Sequence, residues 1–377
     1  MKRRLVLLVI AVCLTLSGCS LSIDGNYHSV QPHQDEQGEI LHESATVTTY
    51  SELQSALVEL IENGQQRSVI YMPGFEADRL TGYMNRVIDY IKRENPVAAY
   101  AVDAITYEIG TSGGMPAIAV QISYIHNRTE ILRIQKAADM ESAVVAIQNA
   151  LDACDAGVLI RIAAYETTDF ALLVQDYVEE HPDTCMETPL VTAVSYPETG
   201  DDRILELSFV YQTSRDSLRT MQQYVRPVFT AAGLNVSGEE TQHDKFALMY
   251  VFLMERSEYQ LETSITPAYS LLRHGVGDSK AFSTVYAAMC RRAELDCQVV
   301  SGTRNGEPWV WNLICQDGVY YHIDLLNEKN EGNLYLLTPE DMQEYVWDYS
   351  SYPQTGDGEN NTSTGEIETP TDESGVS

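Results

Sequence analysis

The chain has 377 residues, with 24 Lys or Arg against 55 Asp or Glu, for a formal net charge of −31. That length leaves room for two or three compact units. So negative a chain repels a phosphate backbone, which argues against nucleic acid as a partner; the acidity suits a solvated exterior surface without identifying a ligand.

Met1 to Arg4 is basic, and Leu5 to Leu16 is a nearly unbroken apolar run. A spanning helix needs roughly 20 such residues, so this shorter run reads as a secretory leader. The run ends in Leu16-Ser17-Gly18-Cys19, which resembles the bacterial lipobox. The resemblance implies a lipoprotein signal peptide over 1–19, with Cys19 acylated (by palmitate or a similar chain) and made the mature N-terminus. Each buried methylene contributes about 0.8 kcal/mol, so two or three acyl chains anchor firmly. A plain secretory peptide, with Cys19 incidental, is the alternative. Residues 20–45 are polar and read as a flexible tether. The expected location is the extracytoplasmic face of the cell membrane, in the cell envelope.

Residues 46–136 and 137–226 read as the same unit twice, two tandem αβαββ modules. In the first, Leu53, Ala56, Leu57, Leu60 and Ile61 have helical spacing, a strand follows at Ser68 to Met72, and a second helix carries Leu80, Met84, Val87, Ile88 and Ile91. Alternating strands at 101–107 and 118–124 close it. The second has helices at 143–151 and 170–178 and strands at 158–163, 190–196 and 204–211. Asp89-Tyr90-Ile91 echoes Asp176-Tyr177-Val178, and Ile105-Thr106-Tyr107 echoes Val194-Ser195-Tyr196, roughly 87 to 90 residues apart. Neither module clusters His, Cys or carboxylates, so their apolar positions read as core.

The third unit, 227–352, holds the informative residues. A helix over 245–259 buries Phe246, Met249, Tyr250 and Leu253. Then come His274-Gly275-Val276-Gly277-Asp278-Ser279 and a helix over 280–293, for which Asp278 or Ser279 is the natural N-cap. A strand at 297–302, the hairpin signature Asn305-Gly306, a returning strand at 309–315, the turn Asp317-Gly318 and a strand at 319–325 make a three-stranded meander. If Asp317-Gly318 is a two-residue loop, Trp311 lies opposite Asp324, and position 309 lies one diagonal away on the same face. A side chain at 309 and the Asp324 carboxylate then converge near the start of the 280–293 helix, as a nucleophile, base and orienting acid would.

Here the stretch 243–345 resembles the bacterial transglutaminase-like domains, relatives of papain-like cysteine peptidases. Members read Gly-Val-Cys, a helix ending in a Leu-Cys-like pair, Val-x-Gly, His-Ala-Trp-Asn and Trp-Tyr-x-Val-Asp. Gly277-Asp278-Ser279 stands at the first place, followed by Met289-Cys290, Val300-Ser301-Gly302, Trp309-Val310-Trp311-Asn312 and Tyr320-Tyr321-His322-Ile323-Asp324. The fold class implied is α+β, two tandem αβαββ modules followed by a transglutaminase-like (papain-like) domain. Two of the three matching catalytic positions depart from the family: Ser279 replaces cysteine and Trp309 replaces histidine, while Asp324 remains. Serine needs a base to take its proton, and an indole only donates. Losing base assistance typically costs about 10²–10⁴-fold, and triad members act as a unit. The expectation is therefore a pseudoenzyme with this degenerate triad, binding an exterior peptide, protein or envelope component through a groove lined by Trp309, Trp311, Tyr320 and Tyr321. The bland alternatives are a helix cap at Ser279, a groove filler at Trp309 and rings that merely pack the hairpin. The competing function is an active hydrolase or acyltransferase using Ser279, with His322 or another base; His274 reads as a turn residue. A spacer whose repeats bind a partner is a third reading.

No metal site and no cofactor are expected. Cys154, Cys185, Cys290, Cys297 and Cys315 show no zinc spacing and are either buried thiols or contain a disulfide whose pair sequence does not choose. Residues 353–377, rich in Gly, Ser, Thr, Asn and acid, read as a disordered acidic tail.

Overall fold

A computed structural model describes residues 45–356, except 237, 239, 240, 262 and 263. The leader, Cys19, the tether up to residue 44 and the tail from 357 lie outside the described residues. The chain divides into Met1–Ser44 and Ala45–Ser377, and all that follows concerns the second unit. Among the described residues no helix is long and apolar enough to cross a membrane.

Helix α1 (Tyr50–Glu62) starts where Thr49 Oγ1 accepts the Glu52 amide at 3.1 Å, and it buries Leu53, Leu57, Leu60 and Ile61. With α2 (Leu80–Glu94) it covers a sheet of order β1-β2-β4-β3, made by β1 (Ala45–Thr46), β2 (Arg67–Tyr71), β3 (Val102–Ser112) and β4 (Met115–Tyr124). Two short helices, α3 (Pro96–Ala101) and α4 (Arg128–Leu132), fill the connections. The second sheet has the order β5-β6-β8-β7, from β5 (Gln135–Ala137), β6 (Gly157–Ile162), β7 (Leu190–Tyr196) and β8 (Arg203–Val210). Its helices are α5 (Met140–Asp152), held by an Asp139–Ser142 capping box, and α6 (Phe170–Glu180), capped by Asp169.

In each sheet the first pair is parallel and the others are antiparallel. The order in each unit is thus βαβαββ rather than αβαββ, because a strand of two or three residues has no alternation for the sequence to display. Two expected boundaries also move. β5 spans the 136/137 division, and helix α7 (Arg215–Asn235), with Pro227 inside it, runs unbroken through 226/227.

Register corrects one sequence echo. Ile70 and Ile160 occupy matching places, opposite Ala45 and Gln135 and paired to Ile118 and Leu205. Ile118 in turn faces Ile109, and Leu205 faces Ser195. Counting along the strands, the counterpart of Tyr107 is Ala193, not Tyr196.

The third domain packs α7, α8 (Gln242–Met254) and α9 (Ser279–Arg292) against one face of an antiparallel sheet of order β13-β12-β11-β14. Its strands are β11 (Cys297–Arg304), β12 (Glu307–Gln316), β13 (Val319–Ile323) and β14 (Tyr345–Trp347). A two-residue parallel pair, β9 (Glu258–Tyr259) with β10 (Val276–Gly277), precedes α9. Both hairpin turns have their two residues at positive φ, Asn305 and Gly306, then Asp317 and Gly318, as a type I′ turn requires. Gln316 consequently faces Val319, and Asn312 faces Ile323. On the far face the Trp311 ring lies against Gly302, where any Cβ would collide with the Val346 carbonyl and stand 2.9 Å from Trp311 Cη2. All five cysteines of the described residues are free, with Cys154, Cys185 and Cys290 buried.

α9 is tied to the second module by its cations. Lys280 pairs with Glu179 at 2.5 Å, Arg291 donates to the Glu180 carbonyl, and Arg292 pairs with Asp183.

Candidate functional site

Asp278 is the N-cap of α9, its Oδ1 accepting the Ala281 amide at 2.8 Å, so Ser279 is the first helical residue. Ser279 is only 8% exposed, and its Oγ accepts the Val310 amide at 3.3 Å. Two further bonds lace the helix to β12. Ser283 Oγ donates to the Val310 carbonyl at 3.0 Å, and Asn312 Nδ2 donates to the Ser283 carbonyl at 3.0 Å. Ser279 therefore faces the backbone beside Trp309, as the hairpin register requires.

Trp309 Nε1 donates to Asp324 Oδ2 at 2.9 Å. Asp324 is 1% exposed and is surrounded by donors: Tyr345 Oη at 2.8 Å and Arg304 Nη1 at 3.3 Å on Oδ2, and the Leu326 amide at 3.0 Å on Oδ1. Arg304 supplies the countercharge and is shared with Glu344. Burial, and then the Asp324 charge, push the Tyr345 hydroxyl well above its ordinary pKa. The Trp309 ring is further fixed by Tyr259, 5.5 Å away between centroids, and by the Arg304 guanidinium at 5.8 Å. Tyr259 comes from β9, which pairs with the two residues ahead of Asp278. Trp309, Asp324 and Tyr259 are thus brought together from β12, the end of β13 and β9, with Ser279 of α9 bonded to the next residue of β12.

His322 is held elsewhere. Its Nδ1 accepts Trp311 Nε1 at 3.0 Å, and it packs edge-on to Trp347 at 4.7 Å. Burial lowers its pKa from 6.5 to about 4. An Nδ1 that accepts a proton-bearing donor leaves the ring neutral, with its hydrogen on Nε2. His274 packs against Tyr269 at 5.6 Å, in the turn that leads to β10.

The expected groove lining needs correction. Trp311 has no exposed surface and is a core residue on the far face of the sheet, so it lines nothing. Tyr320 packs on that same far face and donates to Asp296 at 2.9 Å, whereas Tyr321 packs toward the helices, because successive strand residues point to opposite sides. Of the four rings, Trp309 alone is bonded to Asp324, and it precedes the residue whose amide Ser279 accepts. Its exposed ring neighbour is Tyr259, at 41%, a residue that no sequence periodicity singles out.

Among the described residues no group of three His, Cys, Asp or Glu is placed to hold a metal. What the site offers is a shielded hydroxyl, an amide donor, an indole locked to a carboxylate and an aromatic rim.

Residues 230–326 match the model of the transglutaminase-like superfamily, and the chain carries a domain of that superfamily. The similar solved structures include a candidate cysteine protease from Cytophaga hutchinsonii, at 11% identity over 42% of this chain and 70% of that one, with a TM-score of 0.25. A TGase is 10% identical over 62% of this chain and 67% of its own, with a TM-score of 0.25. A candidate protease from Parabacteroides distasonis is 7% identical over 68% and 39% respectively, with a TM-score of 0.22. No curated protein matches the chain.

Proposed function

We propose that this chain is a lipid-anchored extracytoplasmic protein whose transglutaminase-like domain binds a peptide, protein or envelope component without turning it over. The observation that carries the proposal is the Trp309–Asp324 hydrogen bond of 2.9 Å. An indole N–H has no lone pair with which to accept the Ser279 proton, and it occupies the carboxylate that would otherwise orient a base. His322 offers no substitute, since its Nδ1 lone pair is taken by Trp311, its Nε2 carries the hydrogen, and burial makes the ring a weak base. The binding face is the Trp309–Tyr259 pair near the start of α9; flat amphipathic rings suit a peptide chain. The anchor rests on Leu16-Ser17-Gly18-Cys19.

The test is turnover. Purified protein incubated with a glutamine peptide and an amine should release no ammonia and form no cross-link above background. Turnover that Ser279→Ala abolishes would overturn the reading. For the anchor, Cys19→Ala should release the protein from membranes and remove labelling by fatty acid; unchanged partition and labelling would contradict it.

A further inference from the structure

A second surface, independent of the Ser279 site, lies on the helical layer of the second module. Neither α5 nor α6 contains a lysine or arginine. Between them runs an open groove of about 420 Å³, whose lining includes Gln148 of α5 and Leu172, Asp176 and Glu180 of α6. Leu172 is 54% exposed. Tyr177 Oη bonds Asp152 Oδ1 at 3.1 Å and closes the groove floor between the two helices. Residues 169, 172, 176 and 180 follow helical spacing, so the leucine sits on a stripe flanked by carboxylates. Asp169 caps its own helix, but the Asp176 and Glu180 side chains form no ion pair among the described residues.

The same end of α6 already recognises cations within the chain. Lys280 and Arg292 pair with Glu179 and Asp183, and Arg291 donates to the Glu180 carbonyl. The groove lining holds Asp169, Asp176 and Glu180 and no lysine or arginine. From the charge complementarity that this lining offers around an exposed leucine, we infer that the α5–α6 groove docks a cationic amphipathic segment of a partner protein, with an apolar residue seated against Leu172 and Lys or Arg facing Asp176 and Glu180. Apolar anchors supply contact area, and the flanking charges select and steer the partner.

The probe is a fluorescent helical peptide of leucine and lysine only, titrated into the full chain and followed by anisotropy. The wild type should bind it, more weakly as salt rises. Asp176→Lys with Glu180→Lys should weaken binding by about tenfold or more, and Leu172→Ala severalfold. All three positions lie at the surface of the groove, and an unchanged thermal midpoint would show the variants folded. Asp89→Lys with Glu108→Lys makes the same change in net charge on the first module and should leave affinity within about twofold. The inference is overturned if the wild type does not bind, if the control pair weakens binding as much as the groove pair, or if a lysine-only peptide of equal charge binds equally well. The last two outcomes would assign the attraction to the overall charge of the chain.

Discussion

Trp309 Nε1 lies 2.9 Å from Asp324 Oδ2, so the buried carboxylate accepts from an indole. Asp324 is the hub of the site, since Arg304, Tyr345 and the Leu326 amide converge on it as well. Removing it would leave a half-buried guanidinium, a buried phenol and an indole without their acceptor. Asp324→Ala should destabilise the domain by about 3–5 kcal/mol, the cost of stripping one partner from a buried charged network. Trp309→Phe, which leaves the other donors in place, should cost about 1–3 kcal/mol. Urea unfolding of the two variants measures both, and equal losses would contradict the hub role.

His322 makes stability depend on pH. Its folded pKa, about 4, is depressed below the unfolded value of 6.5. The unfolded state therefore binds the proton more readily, and stability is lost as the pH falls from about 6.5 toward 4, with no further change from this group below that. The loss across the window is on the order of 3 kcal/mol. His322→Gln keeps an acceptor for Trp311 and removes the titration, so the variant should lose correspondingly less between pH 7 and 4. Parallel curves for the two proteins would exclude His322 as the source.

Refitting the site should change its chemistry stepwise. Ser279→Cys alone places a thiol at a helix N-terminus with no base beside it. Adding Trp309→His returns a ring that can accept from the thiol on one side and donate to Asp324 on the other. The pH profile of alkylation by iodoacetamide should then show the introduced thiol with a pKa lower by about one unit or more in the double variant than in the single one. Coincident profiles would show that position 309 does not face position 279.

Much of this site was legible in the sequence because β-hairpin register is local. The dipeptide Asp317-Gly318 fixes a two-residue turn, and counting back from it places Trp309 beside Asp324 on one face. The capping of α9 is equally local, since Asp278 precedes the first helical residue. The errors concern depth and long-range pairing. Alternation puts Trp309 and Trp311 on the same face, but it says nothing of β14, which pairs with β11 at the sheet edge and sets the Tyr345 and Trp347 rings against Trp311. Tyr107 and Tyr196 look alike in sequence, yet strand register matches Tyr107 to Ala193. Helix α7 crosses the expected 226/227 division and joins Leu218, Val225 and Phe229 to the core of the third domain, a long-range packing that local pattern does not display. Tyr259 sits on a two-residue strand, too short to carry a pattern.

The most direct measurement is covalent labelling of the wild-type protein with a serine-directed fluorophosphonate, read by intact mass and peptide mapping. A shielded Ser279 that accepts the Val310 amide and has an indole at the neighbouring position 309 is predicted to form no adduct under conditions that fully label an ordinary serine hydrolase. A stoichiometric adduct on Ser279, lost in Ser279→Ala, would mean that a base reaches this hydroxyl and would contradict the account.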